Sequence, residues 1–144
     1  HTGTTLDGLR ETAQEQGVSL GEGASVVALL NVLDRCDDPR ALLQNAASLL
    51  RPGGCLLVAV VLPFRPFVED GKRGRPPAVP LGLNPDASFE HSAALLWEKL
   101  LAPAGLKLEH FTRVPYLSEG DQICRVYSLE DSIWVLRRGD PTQV

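Results

Sequence analysis

Eight consecutive apolar residues, CLLVAVVL (Cys55–Leu62), constrain this chain more than any other stretch. The run has no apolar–polar alternation, which predicts a strand in the middle of a sheet with both faces covered. A second run, ASVVALLN (Ala24–Asn31), reads as another strand buried on both faces. Between them Asp38 offers an N-cap, and Pro39 suits the first helical position. Leu42, Leu43, Ala46, Leu49 and Leu50 then fall at helical spacing and form one buried stripe. RPGG (Arg51–Gly54) stops the helix, because proline cannot continue it and glycine permits positive φ. Strand, helix, strand in this order is a parallel βαβ unit with a right-handed crossover.

The remaining segments complete an α/β doubly wound sheet. Residues 63–87 form a long irregular stretch rich in proline and glycine, the kind of loop that is usually functional or disordered. Ser88 caps a helix through FEHSAALLWEKLLA, with Phe89, Leu96 and Leu100 inward, and Pro103–Gly105 ends it. LKLEHFTRVPY (106–116) alternates as a half-exposed strand. VYSLEDSIWVL (126–136) reads as the last strand, antiparallel to the one before, and the two close the sheet as a pair of edge strands. Residues 1–23 are polar and weakly patterned, with only Leu6, Leu9 and Ala13 marking a short helical face. The chain thus divides into a segment 1–23 and a sheet-forming part 24–144. Ligands of such sheets bind at the carboxyl ends of the strands. Asn31–Asp34 lies at one such end and Pro63–Phe67 at another, so the two segments face one crevice if their strands are neighbours.

Composition narrows the function classes. A length of 144 residues fits one domain, and 44% hydrophobic with 22% charged residues is ordinary globular composition. A net charge of −4 leaves no basic footprint for nucleic acid. Lys72, Arg73 and Arg75 form the one basic run, read as a solvated loop. Three cysteines, Cys36, Cys55 and Cys124, are odd in number and far apart, with no Cys/His grouping at metal-ligand spacing. They read as free buried thiols, and no metal is expected. No apolar stretch approaches the ~20 residues of a membrane helix. The chain has no methionine and starts at His1, so it reads as a piece of a longer protein or the processed end of one.

LLRPGGCLLVAVV resembles the post-helix turn and central strand of class I, Rossmann-like methyltransferases that use S-adenosylmethionine. NVLDRCDDP, VLPFRPFVE, FTRVPYLSEGD and YSLEDSIWVL are narrower. Together they resemble the carboxyl-terminal half of the methyltransferase-like protein 9 (DREV) family over about Val26–Leu136. The resemblance implies a partial class I fold, S-adenosylmethionine as cofactor, and methylation of a histidine ring nitrogen in protein or peptide sequences that alternate as His-x-His. It implies an endoplasmic-reticulum or mitochondrial location. It places Asn31, Asp34 and Tyr116 at the methyl-transfer pocket, the cofactor beside Leu30 and Asn31, and the substrate against Asp34, Pro63, Phe64, Pro66, Phe67 and Tyr116. Residues 1–23 do not resemble the family's Gly-rich cofactor loop or the acidic strand end that follows it.

Methyl transfer to an imidazole is a direct displacement, so catalysis is chiefly positioning. The ring must be neutral, with one nitrogen free to attack. A carboxylate such as Asp34 that accepts the N–H of the other nitrogen selects between the two and stabilises the charge that develops. Plainer roles stay open at this point: Asp34 as a turn initiator, Asn31 as a strand-end amide, Tyr116 as a packed aromatic, Arg35 as an ion-pair partner. His91 and His110 read as structural or surface residues. Two other functions fit the sequence, a non-catalytic binding module and a class I methyltransferase for a small molecule.

Overall fold

A computed structural model of the protein describes residues 6–19, 21–71, 73–120 and 122–139. Helix α1 (Leu6–Glu15) precedes strand β1 (Ala24–Leu30), helix α2 (Pro39–Ser48) and strand β2 (Leu50–Val61). A short hairpin follows, β3 (Val68–Asp70) with β4 (Arg73–Arg75), inside the stretch expected to be irregular. Helix α3 (Phe89–Leu96) continues through a π turn, Trp97–Leu101, and a 3-10 turn, Ala102–Ala104. Strands β5 (Lys107–Glu119) and β6 (Val126–Arg137) end the fold.

The caps act where the sequence put them. The Asp38 carboxylate accepts from the Ala41 N–H at 3.0 Å, with Pro39 behind it, and the Ser88 hydroxyl accepts from the His91 N–H at 3.2 Å. The RPGG segment differs from expectation. Helix α2 already stops at Ser48, and Arg51–Gly54 lies inside β2. Gly53 has φ 73°, and a Cβ on Gly54 would meet the Ala24 carbonyl oxygen at 2.9 Å. These glycines let the start of β2 press against β1 while the pairing shifts between Ala24 and Val26.

The main sheet has the order β1-β2-β6-β5, with β1 and β2 parallel and β6 antiparallel to both of its neighbours. The closing pair is therefore not a pair of edge strands: β6 inserts beside β2, and β5 alone forms that edge. Leu56, Val58 and Val60 of β2 face the same side as Trp134 and Leu136 of β6, and α2 and α3 pack there through Leu43, Ala46, Ala93 and Leu96. Strand β1 corrects the sequence reading. It is an edge strand with one neighbour, and only Leu29 of it is buried. Val26 and Leu30 point to the opposite face at 62% and 57% exposure. An unalternating apolar run marks a strand that could be covered twice; the neighbours decide whether it is.

Candidate active site at the carboxyl ends of the parallel strands

Chain direction gathers the site. Strand β1 ends at Leu30 and β2 at Val61, while β5 ends and β6 begins at the same edge of the sheet. There a cleft of about 440 Å³ opens, lined by Asn31, Asp34, Arg35, Pro63, Tyr127 and Leu129 among others. The two strand-end segments named by the sequence do face one crevice. Pro63 follows a cis peptide bond from Leu62, and the Leu62 N–H donates to the Glu130 carbonyl at 3.0 Å, tying this segment to β6.

Leu33, fully buried, pins the turn after β1 to the core. Asn31 adopts φ 53°, a left-handed conformation that asparagine tolerates better than most side chains, and its N–H donates to the Ala59 carbonyl at 2.8 Å. The Phe67 N–H donates to the Asp34 carbonyl at 2.8 Å, which holds the Pro-aromatic segment against this turn. Asp37 clamps the next layer: it accepts from both Arg75 guanidinium nitrogens, at 2.5 and 2.7 Å, and from the Ala78 N–H at 3.0 Å. These hydrogen bonds, that of Arg75 foremost, lower the Asp37 pKa to about 2. A lowered folded-state pKa gives stabilisation that is complete above the ordinary value of 3.8 and is lost as pH falls towards 2. Hydrogen-exchange protection of the Ala78 amide should therefore fall across that window. Protection that persists at pH 2 would reject the clamp.

Asp34 is 4% exposed. Its Oδ2 lies 3.5 Å from the Arg35 Nε, and its Oδ1 has no hydrogen-bond partner among the described residues. Burial pushes its pKa up, Arg35 opposes that, and the Asp131 carboxylate raises it further. Asn31 donates through Nδ2 to Asp131 Oδ2 at 2.9 Å, and its Oδ1 is buried without a partner. Two residues at the strand ends thus each keep a buried acceptor oxygen unsatisfied. Such atoms are costly in a finished core and useful where an N–H or cationic ligand completes them.

Not every residue named from the sequence lines this cleft. Phe64 is 1% exposed and belongs to the core; its N–H donates to the buried Ser92 hydroxyl at 3.1 Å, which turns the ring inward. Phe67 is exposed, with the Arg35 guanidinium 5.7 Å above its ring, and Pro66 is half-buried beside it. Leu30 sits at the exposed edge of β1, one residue before Asn31. Tyr116 pairs with Leu129 in the β5–β6 ladder, and its side chain lies outside the described residues. The cysteines are half-buried rather than buried. Burial raises the Cys36 thiol to about 11, so it is protonated at neutral pH and serves as a donor to the Leu33 carbonyl at 3.4 Å. Sequence reasoning missed Asp131 and Tyr127. The available signal was an acid–acid–serine step, Glu130–Asp131–Ser132, inside an otherwise apolar strand.

The mixed α/β sheet presents an amide and a buried carboxylate at the carboxyl ends of its parallel strands, where open α/β sheets bind their ligands. Residues 11–138 match the DREV methyltransferase family, and the chain belongs to that family. The ubiquinone biosynthesis O-methyltransferase of Parvibaculum lavamentivorans is 31% identical over 113 residues, which cover 74% of this chain and 43% of that protein. The chain therefore spans less than half the length of this curated relative. Two solved structures are similar over nearly the whole chain. One, described as "Conversion of a Disulfide Bond into a Thioacetal Group during Echinomycin Biosynthesis", has a TM-score of 0.46 at 12% identity, covering 96% of this chain and 64% of that one. The CurJ carbon methyltransferase has a TM-score of 0.43 at 13% identity, covering 94% and 39%.

Proposed function

We propose that this chain forms the substrate-facing part of an S-adenosylmethionine-dependent protein-histidine N-methyltransferase acting on His-x-His sequences. The observation that carries the reading is the pair of unsatisfied, buried acceptors, Asp34 Oδ1 and Asn31 Oδ1, beside one cleft at the strand ends. An imidazole is a fitting guest: it is mostly neutral near pH 7, carries one N–H, and becomes cationic as it accepts a methyl group.

Asp34 accepts the ring N–H and so leaves the other nitrogen's lone pair free to attack. That nitrogen would then be held for direct displacement at a bound methyl donor, with Asp34 fixing the ring's orientation. The charge that appears on the ring lies against the Asp34 carboxylate, which can then take the N–H proton or pass it to water. The unpartnered Asn31 Oδ1 also fits the ammonium of an amino-acid moiety, so Leu30 and Asn31 are the residues here that would flank the cofactor. S-adenosylmethionine, when bound, supplies an electrophilic methyl carbon on a sulfonium.

The relative named for ubiquinone biosynthesis favours a second reading, O-methylation of a small phenol, in which Asp34 would act as base on the hydroxyl. A substrate panel separates the two: a His-x-His peptide, its His→Ala counterpart and catechol, each with S-adenosylmethionine. Methyl transfer to the first peptide alone is expected, with one methyl on a ring nitrogen. A methylated catechol beside an untouched peptide would replace the first reading by the second.

A further inference from the structure

We infer that Asp131 is a positioning residue that sets which end of the Asn31 amide is presented to the ligand; its catalytic consequence rests on the methyltransferase reading above. Asp131 sits on β6 between Val61 of β2 and Val114 of β5, at 7% exposure. An apolar residue would satisfy that place in the sheet at lower cost, since a buried carboxylate is expensive to desolvate. Among the described residues it has one side-chain hydrogen bond, from Asn31 Nδ2 at 2.9 Å, and its second oxygen is buried without a partner.

The geometry gives that bond a directional effect. The Asn31 backbone is held at φ 53° by its hydrogen bond to the Ala59 carbonyl, so the remaining freedom is rotation of the amide. The Asn31 NH₂ donates to Asp131 Oδ2, so the amide's carbonyl oxygen faces away from it. Asn31 lines the cleft, and its Oδ1 is buried beneath that surface without a hydrogen-bond partner among the described residues, so a ligand would reach it by settling into the cleft floor. Without Asp131 the amide can turn over and offer donors, which would repel an imidazole N–H or an ammonium. Ser132 keeps the lever in place: its hydroxyl donates to the Val60 carbonyl at 2.7 Å and accepts from Trp134 Nε1 at 3.0 Å.

The test is a double-mutant cycle between Asn31→Ala and Asp131→Leu, with Asp131→Asn as the shape-conserving second variant. It is read by the Asn31 side-chain amide resonances and by kcat and KM for the His-x-His peptide. In Asp131→Leu, which removes the acceptor, the Asn31 NH₂ resonances should move away from their parent shifts, whereas Asp131→Asn keeps a carbonyl oxygen and should retain part of the parent shift. We expect kcat to fall about 10- to 100-fold with KM within twofold, and no further loss when Asn31 is already alanine. Unchanged resonances, unchanged kcat or full additivity would each overturn the inference. A parent protein that methylates no peptide, but whose Asn31 resonances respond to Asp131→Leu, rejects the histidine-methylation reading and upholds the amide lock.

Discussion

Asp34→Asn is expected to yield a protein that is more stable at neutral pH and far less active. The variant keeps the size of the side chain and its acceptor oxygen but removes the charge. On the proposed histidine-methylation reading, loss of charge should lower kcat by about 10²- to 10³-fold, the usual effect of deleting one preorganised electrostatic partner of a transition state. The stability change has the opposite sign. Burial raises the Asp34 pKa above 3.8, so ionising it costs more in the folded chain than in the unfolded one. That penalty is absent well below 3.8, grows as pH rises through the interval up to the raised pKa, and is constant above it. The variant's advantage should follow the same course, each kcal/mol moving the thermal midpoint by about 2–4 °C in a chain of this size. Thermal melts at several pH values and a peptide methylation assay check both halves. An unchanged rate would remove Asp34 from the chemistry, and a midpoint that drops at neutral pH would show the carboxylate to be a structural partner.

The largest loss of stability should come from Trp134→Ala. Trp134 is 3% exposed, stacks at 6.1 Å on Trp97 with an interplanar angle of 7°, and meets Phe111 at 4.3 Å. It joins β6 to the helical layer, and its Nε1 donates to the Ser132 hydroxyl. Truncation leaves a ring-sized cavity and removes the bond that the Ser132 hydroxyl accepts, a cost of about 3–5 kcal/mol. Against a total of about 5–15 kcal/mol for a typical domain, that lowers the urea midpoint by about a fifth or more. Trp134→Phe should cost far less, since it keeps the ring and loses one hydrogen bond worth about 1 kcal/mol. Equal midpoints for Trp134→Ala and the parent would show that the stack does not hold the layers together.

The legibility of the site divides by residue. Asn31 and Asp34 were readable because a polar break directly after an apolar run marks a strand end, and ligands collect at strand ends. Phe64 was misread: two aromatics three residues apart in a proline-rich segment look equally available, and only the hydrogen bond to Ser92, 28 residues on, turns one of them inward. Asp131 is 100 residues from the Asn31 amide it holds, and no local pattern announces such a pairing.

Local physics explains what the sequence determined alone. Unbroken apolar runs placed both parallel strands, helical periodicity placed the two helices that cover them, and short-range caps at Asp38 and Ser88 set where those helices begin, because these effects act within a few residues. The tertiary structure alone decided strand order, which face is covered and which acceptors stay unpaired. Those depend on β6 returning between β2 and β5, an arrangement set by contacts distant in sequence. That return puts Asp131 behind Asn31 and converts an ordinary strand-end amide into an oriented acceptor.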